Sequence, residues 1–187
     1  MARLGGVKTI LISLAIGAVI VGLLYAIEHL NLTGREPITV DIAALSRDDE
    51  RKPLLASHTQ EFSCEPEKSD LGKTICWTEI ESFNGIPARY LAYFFDKDNR
   101  LTAFKLAAYS RAHQQIIEAF SARFGEPRQA ADAPFLAWPT GGGVLTLAAQ
   151  KPETTESPVL WVNDPEVVRA FDESPRNLDE AQRNSGS

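Results

Sequence analysis

The chain has 187 residues, with 19 Lys or Arg against 25 Asp or Glu, a formal net charge of −6 and 44% hydrophobic residues. This composition excludes a disordered acidic tail, and the acidic balance excludes a dedicated nucleic-acid-binding protein. Only 3 His and 2 Cys are present, so few side chains can carry metal, redox or nucleophilic chemistry. The roughly 155 residues that follow the apolar N-terminus suit one modest domain with linkers.

An uncharged aliphatic segment, Thr9–Ile27, follows the N-terminus. As a helix its 19 residues would span roughly 28 Å, close to the thickness of a bilayer's hydrocarbon core. Arg3 and Lys8 precede the segment, whereas acidic residues outnumber Arg35 after it, a bias that keeps the N-terminus in the cytoplasm. We therefore predict a transmembrane anchor over 1–30 that contacts the lipid bilayer through Thr9–Ile27. The protein would be a single-pass protein of the inner (cytoplasmic) membrane, its remaining chain in the periplasm or another extracytoplasmic space.

The alternative is a cleaved signal peptide, for which Ala15, Ile16 and Gly17 offer a small-x-small cleavage site. A signal peptide has an apolar core of about 7 to 15 residues. Here the apolar run continues to Ile27, which favours an uncleaved signal-anchor.

The two cysteines support export. Cys64 and Cys76 flank a connection rich in Pro, Gly and charge, and a disulfide closing a loop of this length contributes about 3 kcal/mol in the chain-entropy model. No Cys-x-x-Cys redox motif or His pair for zinc accompanies them. We predict a structural disulfide, which forms and persists outside the cytoplasm.

Residues 31–59 mix turn residues, charges and one short helical patch over 41–46, and predict a tether that lifts the domain from the membrane. His58 falls within it and is expected to be solvated. An alternative is that the tether docks on a neighbouring subunit through Ile42, Leu45 and Leu54.

The domain over 60–163 contains a strong hairpin signal, the Asn84-Gly85 pair between alternating strands. A two-residue type I′ turn there pairs residues whose numbers sum to 169, which places Trp77 opposite Ala92. A second hairpin through a turn-rich loop over 96–99 would set Phe95 opposite Arg100.

The three strands present two faces. The face expected to form the core carries Ile80, Leu91, Tyr93, Phe95, Phe104 and Leu106. The opposite face carries Trp77, Glu79, Glu81, Tyr90, Phe94 and Lys105.

An amphipathic helix is predicted over 111–124, with Ser110 as N-cap and Gly125 and Pro127 as its stop. Further strands are predicted over 135–138, 144–149 and 159–163, and a short C-terminal helix with a flexible tail over 164–187. The fold class is therefore α+β: an N-terminal transmembrane helix followed by an antiparallel β-sheet domain with one main helix packed on one face.

Candidate catalytic groups lack partners in the sequence. An unperturbed imidazole titrates near neutral pH, which makes His113 a candidate general base, yet its place on the apolar side of a helix favours packing on the sheet. Glu79 and Glu81 have the spacing of paired carboxylates, but alternating acids on an exposed strand usually serve solubility. The glycine run 141–143 lacks the following Lys and helix of a phosphate loop. We predict no catalytic residue, no cofactor and no metal.

The opposite face instead predicts a partner-binding patch, because aromatic rings surrounded by charged side chains are typical of protein contacts. An equally open alternative is that the strands after the helix, or the tether, cover these rings as a second small core. The leading hypothesis is a non-enzymatic, single-span envelope protein whose exported domain binds another membrane or envelope protein, as an accessory subunit or assembly factor of a membrane complex. The alternatives are a small-ligand or lipid-binding module, with a pocket lined by Tyr93, Phe104 and Phe120, and an envelope hydrolase.

Overall fold

The computed structural model describes residues 35–129 and 134–163. The predicted anchor over 1–30 and the predicted C-terminal helix and tail over 164–187 lie outside these residues. Within the described ranges, no helix is both long and apolar enough to cross a membrane. The chain divides into two compact units, Met1–Glu36 and Pro37–Ser187, and the following description concerns the second.

This unit is a mainly antiparallel sheet with one principal helix. Two short helices come first: a 3-10 helix, Ile42–Ala44, and α1, Arg51–Ala56. The strands are β1 Ser63–Pro66, β2 Thr74–Glu79, β3 Ser82–Phe83, β4 Ile86–Phe95, β5 Leu101–Tyr109, β6 Phe135–Pro139, β7 Val144–Ala148 and β8 Glu156–Val162. Between β5 and β6 lie a 3-10 turn, Ser110–Ala112, and the main helix α2, His113–Phe124. The predicted antiparallel α+β domain is confirmed.

The strand order is β1-β2-β4-β5-β8-β7-β6, with β3 paired to β4. Asn84 and Gly85 have φ values of 50° and 80°, which the type I′ turn requires and which Asn and Gly tolerate. The predicted first register is confirmed, with Trp77 opposite Ala92 and Glu79 opposite Tyr90.

The second hairpin differs from the prediction by a shift in register. Phe95 pairs with Leu101 and not with Arg100, and Tyr93 pairs with Phe104. The turn ends on Asn99 in the left-handed region, with φ 61°, which places an extra residue in the loop as a bulge. Because the net shift over most of the ladder is two residues, each side chain keeps its predicted face.

Helix α2 covers what we call the inner face of the sheet. Its predicted C-terminal end and buried face are confirmed: the helix stops at Gly125, whose φ is 85°, and Ile116 and Phe120 are buried. They belong to one apolar cluster with Leu91, Tyr93 and Phe104. The predicted start is wrong, since the helix begins at His113 and not at Arg111. Ser110 begins a 3-10 turn and makes no side-chain cap.

The segment predicted as a tether forms part of this domain from Pro37 onward. Ile38, Val40, Ile42 and Leu45 are 2–7% exposed and belong to the main core cluster. Burying alternate apolar residues of this segment against the core outweighs leaving them in water. Ile42 and Leu45 are therefore not available for a neighbouring subunit, and Leu54 is half-buried against the same core.

Asn84 holds this segment in place. Its side-chain amide donates to the Val40 carbonyl, and its Oδ1 accepts the Val40 N–H, each at 2.9 Å. Ile38 bridges Phe83 on the same hairpin. The residue that makes the hairpin turn thus also anchors a segment 44 residues away.

The glycine run 141–143 forms the β6–β7 turn, as predicted. A Cβ on Gly142 would lie 2.1 Å from the Leu45 carbonyl oxygen. A Cβ on Gly143 would lie 2.4 Å from the Val162 carbonyl oxygen and 2.8 Å from the Trp161 ring. Glycine is needed here because the turn packs directly on its neighbours.

Candidate protein-binding face

The side of the sheet opposite α2, which we call the outer face, carries a row of residues in register across six strands. Its members, in strand order, are Trp77, Ala92, Lys105, Leu160, Thr146 and Ala137. A second row contains Glu79, Tyr90, Ala107 and Pro158. Neighbouring strands lie about 4.8 Å apart, so each row forms a continuous surface.

Small residues occupy the middle of the outer face. Ala92, Ala103 and Ala107 are at most 1% exposed, and Tyr90 and Leu160 pack in the cluster that contains Ala92 and Ala103. No helical residue of the described ranges belongs to this outer-face cluster. We call these three small side chains the alanine trough.

Two large apolar side chains are exposed among the described residues, and both project from the outer face. Trp77 on β2 is 38% exposed and Phe135 on β6 is 45% exposed. They stand at opposite sides of the sheet. Exposed aromatic rings are a typical feature of a contact surface.

The remaining predicted partner-binding residues have different exposures. Glu79 and Glu81 are exposed, and Tyr90 and Lys105 are half-buried. Trp77, Glu79, Tyr90 and Lys105 lie together on the outer face through the registers of β2, β4 and β5. Glu81 follows the end of β2, and its backbone carbonyl accepts a hydrogen bond from the Ala88 N–H at 3.2 Å.

The prediction that Phe94 offers an exposed ring is wrong, since it is 3% exposed. Leu71 and Ile75 pack around it. The loop that carries Leu71 is held down by the Lys73 N–H, which donates to the Phe95 carbonyl at 2.7 Å, and by Thr102, whose hydroxyl donates to the Leu71 carbonyl. A small second cluster therefore covers this end of the face, but it is formed by the β1–β2 connection and β2, and not by the tether or by the strands after the helix alone.

The predicted disulfide between Cys64 and Cys76 is present. The two residues are directly opposite each other on β1 and β2, with their Cα atoms 4.0 Å apart. Every residue of β1 is exposed, so this strand buries no side chain of its own. The disulfide fastens the edge of the sheet to the core through Cys76, which is fully buried.

His113 has a partner that the sequence did not reveal. Its Nδ1 lies 2.7 Å from the Ser157 hydroxyl oxygen, and both residues are buried. Burial, together with the positive charge of Lys151, lowers the pKa of His113 below 6.5. Because Ser157 has 0% exposure, a substrate cannot reach its hydroxyl, and the contact joins the start of α2 to β8.

His58 is half-buried and in contact with the core, contrary to the prediction of a solvated side chain. Its Nε2 lies 3.0 Å from the Tyr93 hydroxyl, and its ring stacks on Tyr93 at 5.7 Å. Burial lowers the pKa of His58 and raises the pKa of Tyr93, with the Asp49 carboxylate raising the latter further. This contact fixes the chain after α1 to the inner face.

The pocket predicted over Tyr93, Phe104 and Phe120 does not form in this arrangement. Tyr93 and Phe104 are 0% and 1% exposed and meet edge to face at 6.5 Å, so their rings fill the core. In the described ranges, no group of three His, Cys, Asp or Glu residues could hold a metal ion.

Comparison of the chain with protein-family models, with characterised proteins and with solved structures gives no match. The function proposed below rests on the fold and surface of this chain.

Proposed function

We propose that this is a non-enzymatic, single-span envelope protein whose exported domain binds another protein through the outer face, as an accessory subunit or assembly factor of a membrane complex. The observation that carries the proposal is the outer face itself. Trp77 is exposed there beside Tyr90 and the alanine trough.

The central strands support the proposal through their composition. A sheet with one solvated face alternates apolar and polar residues, whereas β4 and β5 place Ala92, Ala103 and Ala107 on the side away from the helix. Strands of this kind are typical of a sheet with both faces covered. A partner that lays a helix or loop across the alanine trough would cover the second face.

Polar groups at one margin fit the same role. Glu79 lies next to Trp77 on β2, and Lys105 lies one strand beyond Ala92. Interfaces combine an apolar centre with a polar rim, and Trp and Tyr are the residues most often found at energetic hot spots. The disulfide and the apolar segment Thr9–Ile27 support placement outside the cytoplasm and on a membrane.

Site-specific photo-crosslinking in native membranes tests the proposal. A photoreactive phenylalanine analogue replaces Tyr90 on the outer face, and in a matched control it replaces Phe124, another half-buried ring, on α2. We expect a discrete protein adduct from position 90 and none of the same mass from position 124. No adduct from position 90, or the same adduct from both, would overturn the proposal.

Trp77→Ala then separates binding from folding. In the protein carrying the probe at position 90, this change should remove most of the adduct, because loss of a hot-spot ring weakens association by about 2 kcal/mol or more. The melting temperature should stay close to that of the parent protein. If Trp77 belongs to a covered second core, including one covered by residues 164–187, Trp77→Ala will instead lower the melting temperature substantially.

A further inference from the structure

A second surface feature lies away from the outer face, between α2 and residues 39–42 of the segment that precedes the first strand. It is a half-open groove with a volume of about 580 Å³, within the range of about 300–1,000 Å³ that is usual for small-molecule sites. Its apolar lining is formed by Val40, Ile42, Ile86, Phe120 and Phe124. Four of these five side chains are 2–7% exposed, so the floor is continuous with the packed core.

One ion pair stands at the rim of the groove. Among the lining residues, Arg123 supplies the only positive charge and Asp41 the only negative charge. The Arg123 Nη2 lies 2.5 Å from the Asp41 Oδ1, and the two side chains are 52% and 60% exposed. Exposed pairs of this kind contribute little to stability, so the Arg123 guanidinium can change partner at small cost.

Asp41 keeps a hydrogen bond when Arg123 leaves. The same Oδ1 accepts the Ala43 N–H at 3.1 Å and caps the 3-10 helix. Arg123 in turn rests on the Phe124 ring, 5.8 Å from its centroid, which holds the guanidinium over the groove. A guanidinium binds a carboxylate through two parallel hydrogen bonds.

We propose that this groove binds a long-chain fatty acid, with its hydrocarbon chain against the apolar floor and its carboxylate replacing Asp41 as the partner of Arg123. The ligand combines the two features that the groove offers, an apolar floor and one cation at the rim. This site is separate from the outer face and does not depend on the proposed protein partner.

Photoaffinity labelling of the full chain in detergent tests the site. The probe is palmitic acid carrying a diazirine in its chain, and the adduct is located by tandem mass spectrometry. We expect adducts within 113–124 or 37–45, with palmitate competing at least tenfold better than hexadecanol. Adducts spread along the chain would overturn the site, and equal competition by hexadecanol would overturn the role of the carboxylate.

Two alanines on α2 provide a matched pair of variants. Ala119 lines the groove, whereas Ala122 does not, and both are exposed. Ala119→Trp should fill the groove and reduce labelling at least tenfold, while Ala122→Trp should change it less than twofold. If Ala119→Trp impairs folding by thermal melting, Thr39→Trp fills the groove from the opposite wall. Unchanged labelling in a folded groove-filling variant would contradict the proposal.

Arg123→Gln tests the role of the fatty-acid carboxylate separately from that of the hydrocarbon chain. This variant should retain labelling but lose the preference for palmitate over hexadecanol, since the apolar floor remains. A variant that keeps the tenfold preference would show that Arg123 does not bind the carboxylate. A groove that serves only apolar side chains of a partner protein would give no palmitate-sensitive labelling in the purified chain.

Discussion

The two faces of the sheet are built from the same strands but differ in the size of their side chains. On the inner face, Phe104 and Trp161 stack at 5.9 Å and are at most 1% exposed. On the outer face, β4 and β5 carry Ala92, Ala103 and Ala107, and the ring of Trp77 on β2 is 38% exposed. Apolar character alone therefore does not distinguish the faces. Side-chain volume does, because large side chains fill a layer themselves, whereas small ones leave room for another.

The largest expected effect compares two tryptophans, one on each face. Trp161→Ala should lower the free energy of unfolding by about 3–5 kcal/mol, because it leaves a cavity in a packed core. It also removes the hydrogen bond from Trp161 Nε1 to the Thr140 hydroxyl, at 2.9 Å. Trp77→Ala should cost less than about 1 kcal/mol. Denaturant unfolding of both variants measures the contrast, and equal losses would mean that the outer face is a second core.

The next effect concerns the disulfide at the sheet edge. Replacing Cys64 and Cys76 together by alanine should lower the free energy of unfolding by about 3 kcal/mol, from the entropy of the opened loop. Because β1 buries no side chain, its amides should exchange hydrogen faster in this variant than those of β4. Intact mass before and after reduction provides the control, and two free thiols in the native protein would contradict the disulfide.

A smaller effect concerns Asn84, whose side chain makes two hydrogen bonds to the Val40 backbone and so holds the segment that begins at Pro37 in the domain. Asn84→Gly keeps a residue that tolerates φ 50° but removes both hydrogen bonds to Val40, at a cost of about 1–2 kcal/mol. Asn99→Gly is the matched control, since Asn99 also has positive φ, 61°, and makes a turn. Its cost should stay below about 0.5 kcal/mol. If denaturant unfolding shows equal losses of stability for the two variants, the hydrogen bonds from Asn84 to Val40 do not contribute to stability.

The smallest expected effect is a pH dependence of the free energy of unfolding that arises from two histidines, His58 and His113. Burial lowers the pKa of both His58 and His113 below 6.5, so the unfolded chain binds protons more readily than the folded one. Their stabilising contribution is complete above pH 6.5 and is lost as pH falls through the lowered values. Unfolding measured between pH 7.5 and pH 5 should show this loss. Replacing both histidines by glutamine should flatten the profile, and an unchanged slope would assign it to other groups.

Local rules in the sequence account for much of the fold. The Asn84-Gly85 turn and period-two alternation set the register of β2 against β4, and Gly125 ended α2 where expected. The short connection between Cys64 and Cys76 pointed to the disulfide. Each of these features depends on residues close together in the chain, where turn geometry and helix or strand period leave few alternatives.

The sequence also contained a signal that the segment after Pro37 packs on the domain. Ile38, Val40 and Ile42 alternate with polar residues, a pattern typical of a half-buried strand. The turn residues, the charges and Pro53 favoured the interpretation as a tether. The candidate face was predicted in the same partial way, since register placed Trp77, Glu79 and Tyr90 together, but the loop that buries Phe94 was not anticipated.

Only the tertiary structure decided which distant residues meet. His113 pairs with Ser157 across 44 positions, β8 enters the sheet between β5 and β7, and Leu71 covers Phe94. Such contacts depend on the closure of long loops and on the complementary volumes of packed layers, and neither leaves a periodic pattern in the chain. The sequence by itself determined the Asn84-Gly85 turn, the strand faces and the disulfide, because these are short-range consequences of backbone geometry. The tertiary packing decided how the described parts of the chain pack on each face, because that depends on side-chain volumes brought together from distant parts of the chain.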